Sequence, residues 1–181
     1  MTVKETKLQG CYIIQPQIFK DKRGYFVENY NQNSFNTALG LEVNFVQDNE
    51  SQSSKGVLRG LHYQLGEYAQ AKLVRVIKGK VLDVVVDVRP KSSTFGEYFS
   101  IELSEENKTQ LFVPRGFAHG FLVMEDETIF SYKCDNFYNK NSEAGIIYND
   151  EDLDIDWKYP KQELIISEKD LILPNFKNAR L

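Results

Sequence analysis

The chain has 181 residues and a net charge of −4, with 41% hydrophobic, 27% charged and 13% aromatic residues. That length suits one domain able to bury a real core, while the acidic balance excludes a bulk basic field for nucleic acid or an anionic membrane. Residues 1–7 lack the apolar core of a signal peptide, no apolar run approaches the ~20 residues that cross a bilayer, and Cys11 and Cys134 form neither a disulfide framework nor a metal spacing, so the expectation is a cytoplasmic chain with buried, reduced thiols.

In chain order, residues 11–14, 24–30 and 43–47 read as extended. Asn33-Ser34 can cap a short helix through 35–39, ended by Gly40. Residues 72–77 form a strand that Lys78-Gly79-Lys80 turns into a second one over 81–88. In that second strand Leu82, Val84, Val86 and Val88 alternate with Val81, Asp83, Val85 and Asp87, so one face is apolar and the other carries two carboxylates. Arg89-Pro90 ends it. Phe99, Ile101 and Leu103 mark another strand, 105–108 a turn, and 111–113, 121–124 and 128–134 further strands, with Glu125-Asp126 between the last two. Near the end, 164–166 is extended and Ser167 caps a short helix beginning Glu168-Lys169-Asp170. No repeat or linker interrupts residues 1–181. Many short strands, rich in rings that pack on a pleated surface, point to an all-β sandwich or barrel.

The only two histidines, His62 and His119, each sit among cations and glycines. Histidine is the side chain that takes up or releases a proton near neutrality at little cost. Beside His62, Arg59 offers a planar fork of donors suited to phosphate, Gly60 permits close backbone approach, and Lys72 and Arg75 begin the next strand. Strict alternation, however, puts Arg59 with Leu61 on one face and His62 with Gly60 on the other. A structural histidine among solvated cations therefore stays open. Pro114-Arg115-Gly116-Phe117-Ala118-His119 resembles the second motif of the cupin superfamily, where the histidine often binds metal. The first cupin motif normally has His-x-His, whereas this chain has His62-Tyr63-Gln64, and no carboxylate has the usual spacing for a facial triad. No metal is expected, and a satisfied core histidine is the other reading of His119. On residue type alone Tyr132 is a core aromatic and Asp170 a solvated carboxylate at a helix start.

Arg23-Gly24-Tyr25-Phe26, Gln47-Asp48-Asn49, Arg59-Gly60-Leu61-His62-Tyr63-Gln64, Gln70-Ala71-Lys72-Leu73-Val74-Arg75-Val76, Pro114 to Phe121 and Ser167-Glu168-Lys169-Asp170 follow one another across nearly the whole chain. This ordered set resembles the dTDP-4-dehydrorhamnose 3,5-epimerase family. The resemblance implies a metal-free, cofactor-free cupin jelly roll (a double-stranded β-helix with short peripheral helices) that is usually a homodimer. It implies a dTDP-linked 4-keto-6-deoxy sugar as substrate and a place in dTDP-L-rhamnose synthesis. By position, His62 resembles the family's base, Asp170 the carboxylate that orients it, Tyr132 the acid on the opposite face and Lys72 the cation near the C4 oxygen. Arg23, Phe26, Glu28, Gln47, Asp48, Asn49, Arg59, His119, Tyr138, Glu143 and Lys169 fall on substrate-contact positions. Leu65-Gly66-Glu67-Tyr68 and Tyr148-Asn149-Asp150 depart from the usual loop and packing sequences.

The residue types suit that chemistry. Inversion beside a ketone needs a base, a cation for the enolate oxygen and an acid on the far face. A diphosphate in an acidic protein needs local arginines, here Arg23 and Arg59. No Gly-rich dinucleotide fingerprint is present. The alternatives are a mono-epimerase at C3 or C5, a 3,4-ketoisomerase-like relative, a metal-dependent cupin oxygenase and a non-catalytic nucleotide-sugar binder.

Overall fold

The computed structural model describes residues 1–181. Its strands are β1 (Thr2–Glu5), β2 (Tyr12–Gln15), β3 (Ile18–Asp21), β4 (Gly24–Val27), β5 (Gln47–Ser53), β6 (Val57–Gln64), β7 (Lys72–Lys78), β8 (Lys80–Asp87), β9 (Tyr98–Ser104), β10 (Gln110–Val113), β11 (Phe117–Val123), β12 (Thr128–Cys134), β13 (Glu143–Gly145) and β14 (Ile165–Ile166). Two helices, α1 (Gln32–Leu39) and α2 (Glu168–Leu171), lie at the periphery. One sheet runs β1-β2-β10-β7-β12-β5 and the other β13-β6-β11-β8-β9, with β14 added parallel to β6. β3 and β4 form a separate hairpin. The expected all-β jelly roll is what the chain adopts.

The core lies between the sheets. Val74 and Val76 of β7, Leu111 and Val113 of β10 and Phe130 of β12 meet Val81 and Val85 of β8, Leu103 of β9 and Phe117, Phe121 and Val123 of β11. Each such buried side chain contributes about 1.5–3 kcal/mol. β8 is sandwiched on both faces. Its wholly apolar face, Leu82, Val84, Val86 and Val88, points outward and is covered by Ile146, Leu153 and Trp157 of the C-terminal segment. The face carrying Asp83 and Asp87 is also fully buried. Alternation correctly groups the residues by face, but neither face meets solvent.

Asp87 is satisfied in place. It accepts from Arg89 Nε (2.8 Å) and Nη2 (2.6 Å), Ser92 Oγ (2.5 Å) and Thr94 Oγ1 (2.7 Å). Burial raises its pKa, but the Arg89, Ser92 and Thr94 bonds outweigh this and hold it at about 2, against an ordinary 3.8. A folded-state pKa below the unfolded one stabilises fully above pH 3.8, and that stabilisation is lost as pH falls toward 2. Asp87→Asn is therefore expected to cost about 2 kcal/mol at pH 7, read from urea midpoints. The gap to the parent protein should narrow below pH 4. A gap that stays constant through that range would rule out the ionised carboxylate as its source.

Helix α1 begins at Gln32, three residues earlier than a cap at Asn33-Ser34 suggests. Asn31 is the N-cap and its side chain accepts from Ser34 N (3.2 Å), while Gly40 closes the helix at φ 66°. Phe35 seats the helix on the outer face of the first sheet, packing edge-on against Tyr30, Phe45 and Phe112. The extended reading of 24–30 shortens to β4, and that of 43–47 moves on to β5.

Candidate active site

The site opens on β6, where the pairing with β11 slips. His119 lies opposite His62 and Phe121 opposite Arg59, so Gly60 and Leu61 together face Gly120 alone. This bulge adds one residue and shifts the phase of the strand. Arg59 and His62 both line one cavity of about 530 Å³, together with Ser51, Lys72, His119, Tyr132, Lys169 and Asp170. Leu61 and Tyr63 face the outer core instead. Strict alternation thus fails here, and its failure brings the cation and the imidazole together. Gly60 has φ +123°, and a Cβ on it would stand 2.6 Å from Gly120 Cα, so the bulge needs glycine.

β14 pairs with the start of β6 at Val57 and Leu58, which carries α2 over the bulge. Ser167 caps α2, and Asp170 is 4% exposed rather than solvated. Its Oδ1 lies 2.8 Å from His62 Nε2, and its Oδ2 accepts from Gly60 N at 3.2 Å. Burial raises the Asp170 carboxyl, but the bonds from His62 and Gly60 outweigh it, so the net shift is downward. An ionised carboxylate only accepts, which assigns the Nε2 proton to His62 and leaves Nδ1 with the lone pair.

Lys72, at the start of β7, lies 5.8 Å from the centre of the Tyr132 ring and forms no ion pair. Burial lowers its pKa, against the opposing pull of Cys134, Asp83 and Glu143. Tyr132, on β12, is half-buried beside Phe130 and lines the cavity. Burial raises its phenol, so the hydroxyl keeps its proton at neutral pH. It is an aromatic at the edge of the core whose polar end reaches the site, rather than a core residue alone.

His119 is buried on β11, with Nε2 2.9 Å from Asp83 Oδ2 and its ring stacked on Phe130 at 6.1 Å. Asp83 is a partner that sequence patterning did not single out, although a carboxylate on an otherwise apolar strand was the available signal. Burial raises its carboxyl, opposed by His119 and Lys72. Both imidazoles are thus occupied at Nε2, and no three His, Cys, Asp or Glu side chains converge in a way that could hold a metal ion.

Arg59 donates to Ser53 Oγ from Nε (3.3 Å) and Nη2 (3.1 Å) and has no carboxylate partner, which leaves the Nη1 end of its guanidinium for an anion. An adjoining cavity of about 380 Å³ shares His62, Lys72 and Tyr132 and adds Gln47, Asn49, Tyr138 and Glu143. There Gln47 Nε2 donates to Asn49 Oδ1 (3.0 Å), Tyr138 Oη to Glu143 Oε2 (2.9 Å) and Lys169 Nζ to Glu143 Oε1 (2.5 Å). Ser51, on the same face of β5, has a buried hydroxyl without a partner. Nothing in the polar run Gln47–Ser53 marks it as a strand, so the element that carries Gln47 and Asn49 was not legible from patterning, although the family resemblance named both residues.

Four expected substrate contacts lie elsewhere in the single chain. Asp48 points away from Gln47 and Asn49, pairs with Lys133 (2.8 Å) and shares a separate cavity with Glu28. Arg23 and Phe26 ride on the β3–β4 hairpin, where Arg23 is bonded to Asp21 (2.6 Å) and Phe26 is 66% exposed.

The sequence model of the family described as dTDP-4-dehydrorhamnose 3,5-epimerase matches residues 5–178. The chain is 50% identical to the Shigella flexneri enzyme of that name over 99% of its own length and 98% of the relative's. A crystal structure of dTDP-4-dehydrorhamnose 3,5-epimerase from Elizabethkingia anophelis NUHP1 superposes with a TM-score of 0.95 at 57% identity, covering 98% of this chain and 97% of that one. The dTDP-6-deoxy-D-glucose-3,5-epimerase of Legionella pneumophila Philadelphia 1, solved in complex with dTDP-4-keto-L-rhamnose, gives a TM-score of 0.93 at 44% identity over 98% and 93% of the two chains.

Proposed function

The chain belongs to the dTDP-4-dehydrorhamnose 3,5-epimerase family, and on that premise we propose that it inverts C3 and C5 of dTDP-4-dehydro-6-deoxy-D-glucose with its own side chains as base, acid and oxyanion donor. The carrying observation is the His62–Asp170 pair, in one cavity with the Tyr132 phenol and the ammonium of Lys72. His62 Nδ1 removes the proton from the carbon beside the C4 ketone. The C–H electron pair becomes the new C=C bond and the carbonyl electrons move to O4. Lys72 holds that developing charge, a contribution of order 10²–10³ in rate. Tyr132 delivers its proton to the opposite face of the same carbon, and the enolate collapses back to the ketone. Solvent reprotonates the phenolate and takes the proton from the imidazolium, and the cycle repeats at the second carbon. Asp170 keeps the proton on Nε2 and stabilises the imidazolium. Arg59 and Lys169 bind the diphosphate, while Gln47, Asn49, Tyr138 and Glu143 hold the remainder of the nucleotide sugar.

The substrate incubated with the protein in D₂O and followed by NMR tests this reading. Deuterium at both C3 and C5 with formation of the L-sugar is expected. Deuterium at one carbon only supports the mono-epimerase alternative, and none at either removes the epimerase reading.

Residues 1–181 act as one domain in this reading, in the cytoplasm, and as a homodimer. Phe19, Tyr25 and Phe26 are 54–66% exposed on the hairpin that also carries Arg23. A second copy placed against this hairpin would cover the rings and bring Arg23 and Phe26 to a neighbouring site. Phe26→Asp is expected to shift the sedimentation mass from dimer toward monomer and to raise KM about tenfold or more. An unchanged dimer with unchanged KM would exclude the hairpin from both roles.

A further inference from the structure

We infer that Gln64 is a positioning residue that clamps the Tyr138–Glu143 wall against the reaction centre, an inference that rests on the epimerase reading above. Gln64 is two residues beyond His62 on β6, past the bulge, so both side chains face the cavity side. It is 7% exposed. Its amide faces the backbone N and O of Asn139, and the orientation that satisfies both has its nitrogen donating to Asn139 O (2.7 Å) and its oxygen accepting from Asn139 N (3.0 Å). This pair of bonds imitates a strand pairing at a residue that belongs to no strand.

Asn139 is the junction of the wall. Immediately before it, Tyr138 is 53% exposed and has little burial to hold it. Its anchors are Tyr138 N to Gln47 Oε1 (3.2 Å) and its hydroxyl to Glu143. Immediately after it, Asn139 Oδ1 accepts from Asn141 N (2.9 Å) and caps the single turn Lys140–Ser142 that delivers Glu143. Glu143 then pairs in register with Gln64 itself. At the position of the second histidine of the first cupin motif, this chain carries a side chain whose planar amide presents a donor and an acceptor side by side. An ionised carboxylate there would accept from Asn139 N but would oppose Asn139 O.

That asymmetry supplies the test, made with Gln64→Ala and Gln64→Glu. Steady-state KM and kcat for dTDP-4-dehydro-6-deoxy-D-glucose are measured from pH 5 to 8, beside the parent protein, with dTDP affinity measured by calorimetry. Gln64→Ala is expected to raise KM about tenfold with kcat within about threefold, as loss of two neutral hydrogen bonds that hold a binding wall requires. In Gln64→Glu the new carboxyl shares its cavity with the titratable groups of Glu143, Tyr63, Tyr132, Tyr138 and Cys134 and with Lys72 and His62. Its protonated form restores both bonds and its ionised form does not. The ratio of its KM to the parent's should therefore be near one at the acid end and climb toward tenfold as pH rises, while the Gln64→Ala ratio stays flat. Both variants at parental KM across the range would overturn the clamp. So would a loss confined to kcat, or a Gln64→Glu ratio without pH dependence. If the parent protein itself shows no turnover while dTDP still binds, the epimerase reading fails instead, and the calorimetric arm still judges the clamp by the same ratios.

Discussion

His62→Ala is expected to stop deuterium exchange at both C3 and C5, with kcat reduced about 10²–10⁴-fold, the range a positioned general base supplies. dTDP affinity should change less than about threefold, because Arg59, Lys169, Gln47 and Asn49 lie on other parts of the wall. The fold should tolerate the change, since the ring is 30% exposed and packs in no core cluster. What is lost is the acceptor at Nδ1. Asp170→Asn tests the same pair from the other side. An asparagine amide can turn its NH₂ toward Nε2, which moves the ring proton onto Nδ1 and disables the base without emptying the site. Its loss should approach that of His62→Ala. Asp170→Asn should also leave Gly60 N paired, through the amide oxygen, so the bulge survives. Parental exchange rates in His62→Ala would remove His62 from the mechanism and make the His119–Asp83 pair the next candidate base.

The strands were legible where side chains alternate by polarity. Residues 72–77, 81–88, 111–113 and 128–134 all form strands close to where the pattern places them. β5 was not, because Gln47-Asp48-Asn49-Glu50-Ser51-Gln52-Ser53 is polar on both faces, one lining cavities and the other exposed. Its partner β12 makes it a strand, and that pairing is a long-range fact. The bulge at Gly60–Leu61 had a local sign in Gly60, but its phase shift depends on Gly120 approaching from β11. Alternation marks the face of β8 that carries two carboxylates but not their burial, in which Asp87 is satisfied by bonds to its own following turn and Asp83 by a histidine thirty-six residues on. The family resemblance picked out His62, Lys72, Tyr132 and Asp170, which no local pattern unites. They come from β6, β7, β12 and α2, and only the jelly roll gathers them.

Tyr132→Phe separates exchange from inversion. The substitution removes one oxygen and keeps the ring against Phe130, so packing should hold and the melting temperature should move little. Lys72 keeps its place beside the ring and still receives the charge on O4. His62 and Asp170 are untouched, so a proton can still leave the substrate and return on the same face. Deuterium should therefore still enter from D₂O, at a rate within about tenfold of the parent. Inversion is different. It needs a proton from the opposite face, and in the proposed mechanism the phenol, which burial keeps protonated, supplies it. Formation of the L-sugar should fall about 10²–10⁴-fold, the span of a lost general acid. The two observables should thus part in Tyr132→Phe and fall together in His62→Ala. If Tyr132→Phe epimerises as fast as the parent, the hydroxyl is only a wall group. The acid would then be sought in Lys72, whose lowered pKa makes proton release easier, or in water admitted between Lys72 and Ser51.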